Sequence, residues 1–285
     1  MSMSRRLYSN VWNSLASFPI LSTLLNATPF KMLTVISPAK TLDFDTPSAT
    51  KKQSTPTFTA ETDALVRLMQ KKSPRELKKL MSISDNLAEL NADRYASFGS
   101  DSENLKQAIL AFKGDVYIGL DVESYNERDF TFAQKSLRIL SGLYGVLRPL
   151  DLIHPYRLEM GTKLKNQKGK NLYEFWDSAI GEALAEELSG HRNKTLINLT
   201  SNEYFNAVDK SRLPGDIITP VFKDYSNGTY RVLSFFAKKA RGAMATYIVQ
   251  NRINKPAELK DFNVDGYQYN DSFSSDDRWV FTRKG

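Results

Sequence analysis

LTVIS, Leu33–Ser37, is a short, largely apolar run with three β-branched residues at its centre, cut off by Pro38. A run of this length, bounded by a helix-breaking residue, reads as a strand buried on both faces. TLINL, Thr195–Leu199, has the same character, and both runs open onto polar segments, Ser37-Pro38-Ala39-Lys40 and Ser201-Asn202-Glu203-Tyr204. Such pairs mark α/β proteins, where loops after buried strands face a ligand crevice. Working outward, Ser73-Pro74-Arg75-Glu76 is a helix start, with a capping Ser, Pro at the first position and Glu three residues on. Helical spacing is also predicted for Ser84–Phe98, Glu103–Phe112, Phe130–Leu140, Tyr173–Leu188 and Ala237–Ile253. Val116–Leu120 and Trp279–Thr282 read as strands, and Thr41–Phe58 as an irregular excursion. Ile217–Phe222 and Tyr230–Phe235 flank Asn227-Gly228, a hairpin signal. Strands scattered among helices, with a hairpin, predict a single α/β domain with a mixed sheet flanked by helices.

Composition sets limits on chemistry. The 285 residues carry 39 Lys and Arg against 32 Asp and Glu, a net charge of +7, and no cysteine. Without cysteine there are no disulfides, no thiolate peroxidase chemistry and no cysteine-ligated iron–sulfur cluster or zinc. The two histidines, His154 and His191, are too far apart in sequence for a local metal motif. No apolar run reaches the roughly 18 residues of a spanning helix. Nucleotide fingerprints of the G-x-G-x-x-G and P-loop types and the G-x-S-x-G elbow are missing. The sequence implies no bound cofactor and no metal site.

Residues 1–31 differ from the rest: Arg5, Arg6 and Lys31 are their only charges. They read as an extension, either a targeting segment or the product of an upstream start with Met32 the true first residue. The domain proper is expected over residues 32–285.

The densest chemistry lies in ILSGLYGVLRPLDLIHPYRLEMGTK, Ile139–Lys163. Gly142 and Gly145 are spaced G-x-x-G after the predicted helix, and Gly142 is a plausible C-cap. Gly145 is expected at positive φ. From Arg138 to Leu172 seven cations face only Asp151 and Glu159, an excess of five. Arg148, Arg157, Lys163, Lys165 and Lys168 are therefore candidates for contact with a phosphate backbone, or else members of a packed turn and a solvated basic loop. Lys238-Lys239-Ala240-Arg241 places cations early in a helix, where the macrodipole disfavours them, so an anion partner or a solvated face is expected for Lys238 and Arg241. Lys40, Lys239 and Glu203 are the catalytic candidates, Glu203 as a base or ligand, although Ser201 and Glu203 also fit a simple helix start. If these groups work together, Lys40, Arg157, Glu203 and Lys239 line one cleft.

ISPAKTLDF (Ile36–Phe44), NLYEFW (Asn171–Trp176), NLTSNEYFNAV (Asn198–Val208), SFFAKKARGAMA (Ser234–Ala245) and WVFTR (Trp279–Arg283), with the glycine stretch, resemble the YaaA-type peroxide stress-resistance proteins. The matching region runs from about Met32 to Arg283. The resemblance implies an intracellular bacterial protein, cytoplasmic, that limits oxidative damage when peroxide is present. It also implies DNA binding, through a helix-hairpin-helix-like element that Gly142 and Gly145 would occupy, although the usual motif is G-h-G. The leading expectation is a peroxide stress-response protein that binds DNA without sequence specificity through a basic cleft, protecting it or helping its repair. Two alternatives stand beside it: an enzyme acting on a nucleotide or modified base, and an iron-handling protein using Asp43, Glu159 and Glu203.

Overall fold

In the computed structural model, which describes residues 32–100 and 104–284, β1 (Met32–Ile36) and β4 (Thr195–Leu199) are buried along their whole length and lie side by side. The predicted extension, residues 1–31, lies outside the described residues. Around this pair the sheet adds β2 (Leu137–Ser141), β3 (Gly145–Leu147), β5 (Ile217–Ser226), β6 (Thr229–Arg231), β7 (Gln268–Tyr269) and β8 (Arg278–Lys284). Its order is β7-β8-β5-β4-β1-β2-β3, with β6 on β5. The five strands from β8 to β2 are mutually parallel, while β3, β6 and β7 join antiparallel, so the sheet is mixed as expected. Full burial explains why β1 and β4 read as continuous apolar runs rather than alternating ones.

The chain moves from β1 to its neighbour β2, then returns to the other side of β1 to lay down β4. The strand order therefore reverses between β1 and β4. Ile36 pairs with Leu199, so the two strands end level and their polar successors emerge side by side. A reversal of this kind leaves a crevice at the carboxyl ends of the strands.

Helices α1 (Thr59–Gln70), α2 (Pro74–Met81) and α3 (Asp85–Ala96) follow one another, and Ser73 and Glu76 form the reciprocal cap read from the sequence. α5 (Glu127–Ser136), α7 (Ala179–Ser189) and the long α9 (Ser234–Gln250) complete the helical cover. Asn227 and Gly228 both take positive φ at the β5–β6 turn, which is what a two-residue hairpin requires.

Several expectations are corrected. The helix predicted over Phe130–Leu140 stops at Ser136, because Leu137–Ser141 leaves it to pair with β1. Leu137 and Leu140 satisfy a helical stripe and a buried strand equally well, and the sheet partner decides. Gly142 is consequently no C-cap, and the expected helix-hairpin-helix-like element is absent from the glycine stretch: β2 and β3 form a β-hairpin there. Val116–Leu120 is not a strand but lies in α4 (Asp115–Leu120), where Val116 and Leu120, one turn apart, face the core. Of Glu103–Phe112, only Ala108–Ala111 is helical among the described residues, flanked by two-residue strands. The helix predicted over Tyr173–Leu188 breaks at Asp177 (φ 43°) into α6 (Leu172–Trp176) and α7, which lets Trp176 enter the core.

Gly145 does take positive φ, +68°, and a Cβ there would lie 2.7 Å from the Trp176 ring. The closest approach in the fold is elsewhere. A Cβ on Gly119 of α4 would sit 1.9 Å from the Lys239 carbonyl of α9, and one on Gly242 of α9 would sit 1.9 Å from the Val116 carbonyl. The two backbones touch reciprocally. Gly242→Ala is expected to lower unfolding free energy by about 1–3 kcal/mol, although an alanine in an open helix gains about 1 kcal/mol over glycine. Gly190→Ala, at the end of α7 with φ −77° and only an ordinary contact, stays within about 0.5 kcal/mol. Urea unfolding of the two variants checks the contrast.

Candidate functional site

The crevice at the ends of β1 and β4 is a cleft of about 460 Å³. Its floor is Ser37 and Ser201, tied together by the Ser201 N–H donating to Ser37 Oγ at 2.9 Å. Ser201 thus spends its contacts on β1, and its side chain does not cap α8 (Asn202–Phe205), contrary to the simpler reading. Tyr117 of α4 donates its hydroxyl to the Ser37 carbonyl at 3.3 Å, which fixes α4 to the same floor.

Five cations and three carboxylates line the walls: Lys40, Lys113, Arg157, Lys238 and Arg241 against Asp115, Glu159 and Glu203. Glu159 lies between two cations, 2.6 Å from Lys40 Nζ and 3.0 Å from an Arg157 nitrogen. Lys238 reaches Asp115 at 3.4 Å, and Lys113 reaches Asp43 at the same distance. Glu203 accepts the Gly161 N–H at 2.9 Å. Arg241 differs. Its Nε donates to the Ala237 carbonyl, and no carboxylate among the described residues pairs with it. Burial alone pushes its pKa below the ordinary arginine value, with no neighbouring charge to compensate. Tyr156 and Tyr204 close the wall behind, their phenols held protonated because burial raises both pKa values. Tyr156 also bonds Ser141 at 2.6 Å.

Lys40, Arg157, Glu203, Lys238 and Arg241 are therefore brought together, but Lys239 is not. Lys239 points off the other side of α9 and pairs with Asp265 at 3.1 Å. Gly142 and Gly145 are buried within the β2–β3 turn, Gly142 against the Leu158 carbonyl and Gly145 under Trp176, and neither presents a surface to a phosphate. Arg148 clamps the chain from inside, donating to Asp151 and to the Thr55 carbonyl. Lys163, Lys165 and Lys168 are exposed and lie outside the cleft lining, with Lys168 over the Phe175 ring. The carboxylates considered for iron do not converge. Asp43 binds Thr46 and Lys113, Glu159 is held between its two cations, and the described residues hold no metal-competent group of three or more such side chains.

Two features escaped the sequence reading. Lys113 and Asp115 join the cleft because Lys113 pairs with Thr41, just past β1, and α4 begins at Asp115. The second is a basic helix: Lys71–Lys79 carries five cations and one carboxylate, a charge run visible in the sequence. It forms the start of a helical hairpin, α2 joined to α3 by Ser82–Ser84 with Ser82 at φ 53°. The far end of α3 reaches the cleft, where the Tyr95 hydroxyl donates to the Arg157 carbonyl at 2.9 Å.

A family model described as peroxide stress protein YaaA matches residues 32–273. The chain belongs to that peroxide stress family. It is similar to a UPF0246 protein of Colwellia psychrerythraea, 52% identical over 255 residues, covering 89% of this chain and 99% of that protein. A UPF0246 protein of Hahella chejuensis is also 52% identical, over 254 residues, 88% of this chain and 99% of its own length. The family match supports a general role in peroxide stress, and it spans every residue of the cleft.

Arg241→Met keeps the apolar stem and removes the uncompensated charge. Its unfolding free energy is expected to equal that of the wild type or exceed it by up to about 1 kcal/mol, since a desolvated cation without a partner destabilises the empty protein. A loss above about 2 kcal/mol in urea unfolding would reveal a partner inside the protein.

Proposed function

We propose that this protein serves in peroxide stress by binding DNA through its phosphates at the cleft between β1 and β4, without reading base sequence. The observation that carries this reading is Arg241, a half-buried guanidinium opening into a cationic cleft with no counter-ion among the described residues. A group of this kind is matched by an anion supplied from outside, and a planar guanidinium suits phosphate. Lys40, Lys113 and Lys238 stand around it on flexible stems, which favours sequence-independent contact. Arg75 and Lys79 of α2 are exposed cations too, on the helical hairpin whose α3 is tied to the Arg157 carbonyl by Tyr95. No described helix is long and apolar enough to cross a membrane, and a DNA partner carries a cytoplasmic location with it.

One observation favours a second reading. Glu203 stands in the same cleft as Lys40, Arg157 and Arg241, and the cleft has the size of a small-molecule site. In that reading the protein is an enzyme acting on a nucleotide or modified base, with Glu203 as the base. Glu203→Gln then abolishes turnover of a nucleotide substrate while leaving DNA affinity near the wild-type value.

For the first reading, each of Lys40→Gln, Lys238→Gln and Arg241→Gln is expected to weaken DNA binding by a similar factor on unrelated sequences. Each also reduces the slope of log affinity against log salt by about one, because one fewer counter-ion is released. Reversing Lys163, Lys165 and Lys168 together produces a smaller loss than replacing the three cleft cations together. Fluorescence anisotropy across a salt series measures both. Unchanged slopes in all three cleft variants would remove the phosphate reading.

A further inference from the structure

The start of α9 carries an apolar surface that the fold does not use. Phe235 is 52% exposed and Phe236 41%, and Ile118 of α4, beside them, is 58% exposed. None of the three joins the hydrophobic core or packs at its margin. The two phenyl rings stand edge to face, 5.5 Å apart. With Ile118 they line a groove of about 330 Å³ whose remaining walls are Lys239, Asp265 and Arg283. The Arg283 guanidinium lies 4.6 Å from the Phe236 ring centre, and Lys239 pairs with Asp265 at 3.1 Å.

This groove borders the cationic cleft: the two share no lining residue, but neighbouring turns of α4 and α9 line them. Phe235 lies one helical turn before Lys238, about 4.5 Å along the axis, and about 9 Å before Arg241. On the facing helix Ile118 lies one turn after Asp115, and both Lys238 and Asp115 line the cleft. The reciprocal glycine contact of α4 and α9 holds these two strips side by side. Exposed aromatic rings beside a cationic track fit one ligand chemistry closely: phosphates follow the cations, and unpaired bases stack on the rings. A duplex keeps its base faces covered and has nothing to offer the rings.

We infer that Phe235 and Phe236 are a stacking platform for unpaired bases, so that the protein binds DNA preferentially where a strand is single. The inference rests on the cleft being the phosphate site proposed above. The rings give sequence-tolerant affinity, since every base has an aromatic face; Lys239 and Arg283 beside them are paired with Asp265 and Asp224, so the phosphate contacts come from the neighbouring cleft.

The test uses the full chain, a labelled dT20 strand and a mixed-sequence duplex of equal length. Phe235→Ser/Phe236→Ser is expected to weaken dT20 binding by about tenfold or more, the order set by the loss of base–aromatic stacks. Duplex affinity falls by less than about twofold and the salt slope on dT20 is unchanged, since no phosphate contact is lost. Phe235→Leu/Phe236→Leu keeps the apolar surface without the rings, and an equal loss with it supports stacking. Because the rings lie outside the core, both variants are expected to melt within a few degrees of the wild type. If the serine pair fails to fold, the leucine pair decides. Equal losses on strand and duplex, or full dT20 affinity in the leucine pair, would overturn the platform. So would a wild-type dimer in sedimentation that the serine pair dissolves while dT20 binding stays intact, which assigns the groove to a second copy. Arg241→Gln separates the two ideas: weakened binding to both ligands keeps the cleft whatever the rings do, whereas binding unchanged by Arg241→Gln defeats the cleft first.

Discussion

The contact between Gly119 and Gly242 sets the geometry on which the cleft depends. With any side chain at either position the helices would have to separate, since a Cβ at each would lie 1.9 Å from a carbonyl oxygen of the other helix. At this spacing α4 and α9 behave as one body. That body carries Asp115 and Tyr117 on α4 and Lys238 and Arg241 on α9. Tyr117 then bonds the carbonyl of Ser37, the first residue past β1. The wall of the cleft is therefore positioned by backbone against backbone, which has few ways to relax, and its floor by two strands that end in register. Long cationic side chains lose entropy when they are fixed, and here the backbone fixes their roots while Glu159, Asp115 and Asp43 already hold four of the five charged ends.

Much of this arrangement was legible in the sequence where local physics and tertiary structure agree. β4 was read to the residue and β1 within one, because strands buried on both faces have no polar positions to confuse the pattern. The Ser73 cap and the Asn227-Gly228 turn are local hydrogen-bond and φ requirements that need no distant partner. The sequence singles out Lys40, Glu203, Lys238 and Arg241 because each follows a strand or lies in the early turns of a helix, and all four line the cleft. The failures share a cause. Leu137–Ser141 and Val116–Leu120 are short apolar segments whose period fits either helix or strand, and their neighbours settle the matter: β1 takes the first and α9 the second. Lys239 was misplaced for a simpler reason, since adjacent residues on a helix point about 100° apart, and the register of α9 sends Lys238, not Lys239, inward.

The glycine stretch shows how one signal can carry two meanings. Gly142 and Gly145 are required by the structure, but by a carbonyl and an indole inside the protein rather than by a phosphate outside it. Trp176 explains both. Its indole N–H donates to the Gly142 carbonyl at 3.0 Å, and its ring occupies the space a side chain on Gly145 would need. The resemblance pointed to a DNA-binding element and the residue spacing pointed to a turn, and only the turn lies there.

The charge arrangement in the empty cleft bears on how an anion enters it. Five cations around about 460 Å³ would repel one another strongly if left alone. Glu159 relieves part of that by bridging Lys40 and Arg157, and Asp115 relieves more at Lys238. On the proposed reading, an arriving phosphate competes with these carboxylates for their cations, and at Arg241 no carboxylate among the described residues competes with it. Binding that begins at Arg241 and then draws Lys40 and Lys238 from their internal partners exchanges one ion pair for another, which keeps the net gain at those sites small and the exchange rapid. A chain with no cysteine has no thiol with which to destroy peroxide. On the proposed reading, reversible contact of this cleft with phosphates fits a protein of a peroxide stress family that acts on what peroxide damages.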